Sequence, residues 1–328
     1  MPNFSDLKPS PIWDEYWRFA AARQDIYWHR LKGLPAPWTD DPILAKHKFT
    51  NVYRATDRVS QYLIREVIYR GQQSPAEIFF RTVLFKLFNR IETWELLVKT
   101  FNLPTWAEFN LDRYAAILET ALNSGERIYS AAYIMPPADH KNDRKHNGHL
   151  RLLERMIKDD LPGRLQSAET MEQAYQLLRS YPMMGAFLAY QWLIDLNYSP
   201  LLNFSEMDFV VPGPGAKRGI NKCFNQHAGI SEAEIIRWVA ERQDDEFRAR
   251  GLKFRNLFGR PLQLIDCQGL FCEVDKYSRV SNPEITSGRQ RIKQNFRTHG
   301  VLPKPWFPPK WCLNERVVLT DVGVPDKV

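Results

Sequence analysis

Three stretches of the chain hold side chains whose types and spacing suit chemistry on a charged substrate. The first is Phe49-Thr-Asn-Val-Tyr-Arg-Ala-Thr-Asp-Arg-Val-Ser-Gln, ending at Gln61. Read as a helix from Asn51, it sets Asn51, Arg54, Arg58 and Gln61 at i, i+3, i+7 and i+10, one polar stripe. Asp57 lies three residues from Arg54 and four from Gln61, within reach of both on such a helix. Asn and Gln in a stripe flanked by Val, Tyr, Leu and Ile suit recognition of a polar ligand and its phosphate; a solvated helix face with an Arg–Asp pair is the alternative.

The second stretch opens with Asp208, followed by Phe209, Val210 and Val211 and then Pro212-Gly-Pro-Gly-Ala-Lys-Arg-Gly. A carboxylate entering an apolar strip is costly unless paired, so Asp208 reads as a cap or as a functional acid or base. A glycine turn offering the N–H groups around Gly213 and Gly215, with Lys217 and Arg218 beside it, suits a phosphate; a structural turn with surface cations is the alternative. The third stretch is Cys272-Glu-Val-Asp-Lys-Tyr, in which Glu273, Asp275 and Lys276 stand near Asp266 and Arg279.

Other constellations carry less. Cys267-x4-Cys272, Cys223-x3-His227 and Cys312 match no zinc spacing, so the cysteines read as core and no metal site is expected. His140, His146 and His149 fall in a lysine-rich stretch that reads as a mobile, DNA-facing loop. No Walker loop, dinucleotide fingerprint, kinase catalytic loop, nucleophile elbow or His-Glu-x-x-His motif occurs in the 328 residues.

The elements that must position these residues read as helices. Aromatic spacing over 11–31 predicts an amphipathic helix, closed by the proline-rich loop 33–42. Helices are expected over 74–98 with Ser74 as N-cap, over 112–123, 149–158 and 169–178, and over 186–196 after the turn Tyr-Pro-Met-Met-Gly. Ser231 caps a further helix running toward Gly251, the glycine expected to follow it. A short strand-like or core apolar segment is expected at 129–134, and from Arg289 the tail reads as a basic, proline-rich, aromatic irregular arm. The fold class is mainly α, divided as 1–45 (helix and loop), 46–280 (helical body) and 281–328 (arm).

Composition sets outer bounds. A 44% hydrophobic content supports a substantial core, and a formal charge of +7 suits a polyanionic partner. Thirteen per cent aromatic residues favour heavy packing. No apolar run reaches membrane-span length and the polar start lacks a signal-peptide core, so a cytoplasmic protein (host cytoplasm if viral) without disulfides is expected.

Turn, helix, downstream Asp and second glycine turn over 181–222 together resemble the helix-hairpin-helix DNA glycosylases. Met183 and Met184 replace the usual hairpin residues, and no lyase lysine follows Gly185. The three motifs together, across roughly 45–280, more closely resemble the alpha-glutamyl/putrescinyl thymine pyrophosphorylase family, whose members are also described as amino acid:DNA transferases and as the helical domain fused to 5-hydroxymethyluracil DNA kinases.

That resemblance implies phage thymine hypermodification: on phosphorylated 5-hydroxymethyluracil in double-stranded DNA, an amino acid or polyamine amine replaces phosphate or pyrophosphate. With no kinase loop in the sequence, the stand-alone transferase type is expected, without cofactor. It also implies that Asn51, Arg54, Asp57, Arg58 and Gln61 match the first motif, Asp208, Gly213, Gly215, Lys217 and Arg218 the second, and Glu273, Asp275 and Lys276 the third. On the chemistry, Arg54, Arg58, Lys217 and Arg218 would hold the leaving group, while Asp208, Asp57 or Asp275 would take the amine proton. The Asn51–Gln61 stripe and Asp208 are expected to face one cleft. A glycosylase acting on a modified base and a non-catalytic DNA-binding module are the alternatives.

Overall fold

Helices account for most of the computed structural model, which describes residues 4–132, 135–137, 144–227, 229–285, 288–297 and 300–319. In chain order they are α1 (Pro11–Leu31), α2 (Pro42–Lys46), α3 (Arg58–Tyr62), α4 (Pro75–Phe88), α5 (Ile91–Phe101), α6 (Leu111–Asn123), α7 (Lys145–Lys158) and α8 (Leu161–Gln166). They continue with α9 (Met171–Arg179), α10 (Ala186–Asn197), α11 (Pro214–Cys223), α12 (Glu232–Glu241), α13 (Gln243–Ala249), α14 (Leu264–Ser281) and α15 (Asn314–Leu319). One small antiparallel pair, β1 (Lys8–Pro9) with β2 (Phe224–Gln226), completes the order. Among the described residues no helix is long and apolar enough to cross a membrane. The chain divides into two compact units, residues 1–57 with 210–328, and residues 58–209.

The first unit is built on α1, α11 and α14. Helix α1 starts where Ser10 accepts from the Ile12 N–H with Pro11 at the first position, and it buries Trp13, Tyr16 and Trp17 against Phe224, Phe247 and Phe271. Helix α11 replaces the expected glycine turn. Gly213 is its N-cap, and Gly215 and Gly219 lie one turn apart on the face that meets α14. A Cβ on Gly215 would sit 2.3 Å from Cys272 Sγ, and one on Gly219 would sit 1.9 Å from the Phe271 carbonyl oxygen. These glycines serve close helix–helix approach, a role that a sequence cannot separate from loop flexibility.

The second unit surrounds α4, whose residues from Glu77 to Phe88 are all buried. Lys86 on α4 pairs with Asp195 on α10 at 2.9 Å, both fully buried, and also donates to Asn89 Oδ1 at 2.7 Å. Asn89 adopts the left-handed conformation (φ 48°), which ends α4 and splits the single helix expected over 74–98 into α4 and α5. Helix α9, the turn Tyr181–Gly185 with Met183 at φ 65°, and α10 give the expected helix after a tight turn, with Gly185 as the N-cap.

Other expectations shift. His146 and His149 are buried on α7 instead of lying in a mobile loop, with the Tyr129 hydroxyl and the Pro136 carbonyl at the two ring nitrogens of His149; His140 lies outside the described residues. Burial lowers His149 to about 4, so it is neutral near pH 7. Tyr129–Ala132 form no strand, and Tyr133 and Ile134 lie outside the described residues. Ser231 caps α12 through a reciprocal Ser231–Glu234 box, but Arg242 breaks the run into α12 and α13.

The α11–α14 contact yields opposite outcomes for two glycines. Gly219→Ala forces a methyl group into backbone and should lower stability by about 3 kcal/mol. Gly269→Ala on α14 meets open space and should raise it by up to about 1 kcal/mol through helix propensity. Urea unfolding of the two variants checks the sign.

Candidate functional site

Helix α14 places two carboxylates, Asp266 and Glu273, seven residues or two turns apart on one face, a span of about 10 Å. Each holds a backbone N–H of the first motif: Asp266 Oδ1 accepts from Arg54 at 2.9 Å and Glu273 Oε2 from Thr50 at 3.0 Å. Asp266 also accepts from the Gln263 N–H at 3.0 Å, capping its own helix. Clamped at both ends, Thr50–Tyr53 is a loop leading to a single 3-10 turn at Arg54–Thr56. The helix expected from Asn51 is therefore absent, and with it the continuous polar stripe. Two carboxylates more than 200 residues away in sequence satisfy the backbone that a helix would have satisfied internally.

The clamp nevertheless gathers Asn51, Arg54 and Asp57. Asn51 donates its N–H to Asp57 Oδ1 at 2.9 Å and its side-chain amide to the Thr56 carbonyl at 2.9 Å, closing the loop on itself. Behind it stands Arg23 of α1, a buried cation the sequence reading missed. It donates to the Thr50 carbonyl at 3.0 Å and to Asn51 Oδ1 at 2.6 Å. Its Nη1 is buried without a hydrogen-bond partner. Burial pushes the Asp57 carboxyl up to about 6, against the pull of the Asn51 N–H and of the charges on Arg23 and Arg54. A carboxyl poised there can give or take a proton near neutral pH.

Asp275, also on α14, is fully buried and meets three cations. Arg218 lies at 3.1 Å, Arg279 at 2.7 Å and Lys222 at 3.5 Å. Lys222 is buried as well, and donates to Ser278 Oγ at 2.9 Å and to the Asp275 carbonyl at 3.3 Å. The Arg218 side chain is 26% exposed. Gly213 carries no side chain to cap α11, and among the described residues no side-chain cap bond is made at that end.

Lys217 is half exposed and 3.7 Å from Glu232; Lys276 pairs with Glu273 at 2.6 Å and lies over the Phe49 ring. Arg58 and Gln61 are on α3 of the second unit, as is the turn Ser205–Asp208, where Asp208 is exposed instead of entering an apolar strip. The buried acid of that turn is Glu206. All four cysteines are free, and no grouping able to hold a metal ion occurs among the described residues. Arg23 and Lys222 lay in plain amphipathic patterns, and only their burial sets them apart.

The family model for the helical domain of 5-hmdU DNA kinase matches residues 10–287. Among curated proteins, the chain is similar to the 5-hmdU DNA kinase of Bacillus phage SP10, at 28% identity over 317 residues. The match covers 88% of this chain and 49% of that kinase, so the chain spans about half its relative's length. No solved structure matches.

Two outcomes follow from the geometry. Arg218→Ala strips one cation from a buried carboxylate and should cost about 1–3 kcal/mol, whereas Lys217→Ala should stay within about 0.5 kcal/mol, both read by urea unfolding. For Asp57, a native value of about 6 against an ordinary 3.8 means that the folded chain holds the proton more tightly. Its stabilising contribution is present below pH 4 and lost as pH rises through 6. Asp57→Asn, neutral throughout, should gain on wild type by about 1–3 kcal/mol between pH 4 and 7 in unfolding series.

Proposed function

The chain belongs to the 5-hmdU DNA kinase helical-domain family, and we propose that it modifies phage DNA by amine transfer. In this reading the substrate is 5-hydroxymethyluracil already phosphorylated in double-stranded DNA, and the co-substrate is an amino acid or polyamine. The observation that carries the reading is the extent of the family match. It takes in all three chemistry-bearing motifs.

The reaction is a substitution at the 5-methylene carbon. The amine nitrogen forms the new C–N bond with its lone pair. The C–O bond to phosphate or pyrophosphate breaks, and the leaving group takes the electron pair. The amine proton passes to a carboxylate. Asp57, raised to about 6 and bordered by Arg23 and Arg54, is suited to accept it. Those two guanidinium groups place positive charge where the leaving group gains negative charge. The uncapped first turn of α11, with Arg218 one turn along, offers N–H groups and a cation to a phosphate. Asp208, exposed on its turn, is the second candidate for the amine proton.

The test is incubation with duplex DNA carrying phosphorylated 5-hydroxymethyluracil and pooled amino acids and polyamines, followed by nucleoside mass spectrometry. An amine adduct at the 5-methylene is the expected product. Free base or abasic sites would show a glycosylase, and binding without turnover would show a non-catalytic module. Asp57→Asn should lower transfer by roughly a hundredfold while sparing DNA binding, and the wild-type rate should climb with pH through about 6. A hundredfold loss in Asp208→Asn with Asp57→Asn near normal would move the proton-accepting role to Asp208.

A further inference from the structure

The basic arm beyond residue 287 lies outside the family match, and the site described above does not use it. From Gly288 to Arg316 the sequence has seven Lys and Arg against one acid, Glu315, in a chain whose whole excess is +7. Part of this arm is ordered as a two-stranded ribbon with the segment entering the candidate site. Lys48 N–H donates to the Gln294 carbonyl at 2.9 Å, Phe296 N–H donates to the Lys46 carbonyl at 2.9 Å, and His47 faces Asn295 in an antiparallel bridge.

The ribbon carries Lys46, Lys48, Arg291, Lys293 and Arg297, all exposed. Among the described residues no carboxylate pairs with any of the five, whereas Arg218, Arg242, Arg250 and Lys276 each have one. Five uncompensated cations within a few residues repel one another inside a screening length of about 8 Å. A polyanion relieves that repulsion and releases its own counterions.

The ribbon is held in place. Arg279, one of the cations on Asp275, donates to the Arg291 carbonyl at 3.2 Å, Arg30 lies over the Phe296 ring at 5.6 Å, and Phe307 and Leu313 further along the arm are buried. It also has a direction. Lys48 is three residues from Asn51, at most about 10 Å of extended chain, so its inner end opens at the Asn51–Asp57 loop. A lipid surface fits poorly, because Ile292 and Phe296 are half-buried and Val301 is the large hydrophobic residue the arm exposes.

We propose that this ribbon is a track for the DNA backbone flanking the base under modification. The choice of DNA as the polyanion rests on the function proposed above. The probe is a short fluorescein-labelled duplex of ordinary sequence, bound by the full chain between about 50 and 200 mM salt and followed by anisotropy. K46Q/K48Q and R291Q/K293Q/R297Q are measured separately and combined, with thermal melting as the fold control; all five side chains are exposed, so melting should not move.

Each half should weaken binding, and the combined variant should lose tenfold or more in affinity and at least about two units of the log–log salt slope, at about 0.9 per lost phosphate contact. A slope unchanged within about half a unit would overturn the proposal. So would loss of binding to phosphatidylserine vesicles with duplex binding intact. Because the duplex is unmodified, a chain that shows the slope change but never transfers an amine would refute the proposed function and leave the track standing. One that transfers normally with an unchanged slope would do the reverse.

Discussion

In the first unit, the backbone of α11 touches the backbone of α14 at Gly219, against the Phe271 carbonyl. No side chain fits there, so the crossing point is fixed by the absence of one. That fixed point sets the register of the two helices, and three carboxylates of α14 then fall where they are needed. Asp275, four residues past Phe271, meets Arg218 and Lys222 from α11. Glu273 and Asp266, two turns apart, reach the first motif. A shift of α14 by one residue would rotate all three by about 100° and leave the Thr50 and Arg54 N–H groups without partners.

Burying Asp275 completely is costly unless its charge is answered, and the protein answers it with more positive charge than the ion requires. Lys222 is itself buried, so the cluster is bound to its neighbours through Ser278 and, by way of the Ser10 hydroxyl on the Lys222 carbonyl, to the start of α1. The arrangement joins the helix that carries Arg23 to the helices that carry the clamp. The second unit uses the same device in Lys86–Asp195 and in Glu77, which accepts from the Trp106 and Ala107 N–H groups beside Arg81.

Much of the helical architecture was legible because apolar periodicity and end signals agree. The aromatic run from Pro11 is α1, and Ser231 opens α12. The site was legible only in its residue types. Asn51, Arg54 and Asp57 do come together, but through a loop imposed by Asp266 and Glu273, and no local pattern in residues 49–61 signals partners so far along the chain. Gly-Pro-Gly-Ala-Lys-Arg-Gly failed for a related reason. Two glycines four apart read equally as a phosphate turn and as a helix-contact face, and the deciding fact is the neighbour, Phe271 and Cys272, not the segment itself. Asn89 was missed because a left-handed Asn breaks a helix without the glycine or proline that normally announces it.

The carboxylates of the first unit divide by what surrounds them, and that division is the physical basis for singling out Asp57. Asp266 accepts from two backbone N–H groups, Glu273 from a backbone N–H and Lys276, and Asp275 from Arg218 and Arg279 with Lys222 beside it. With their oxygens taken by those partners, these three act as fixed parts of the frame. Asp57 accepts from the Asn51 N–H, has Arg23 and Arg54 near enough to lower its value only in part, and meets the like charge of Glu273, which raises it. Burial therefore wins, and its proton becomes exchangeable near neutrality. Helix α14 supplies the carboxylates that are tied into the frame, and the loop carries the one whose value burial raises.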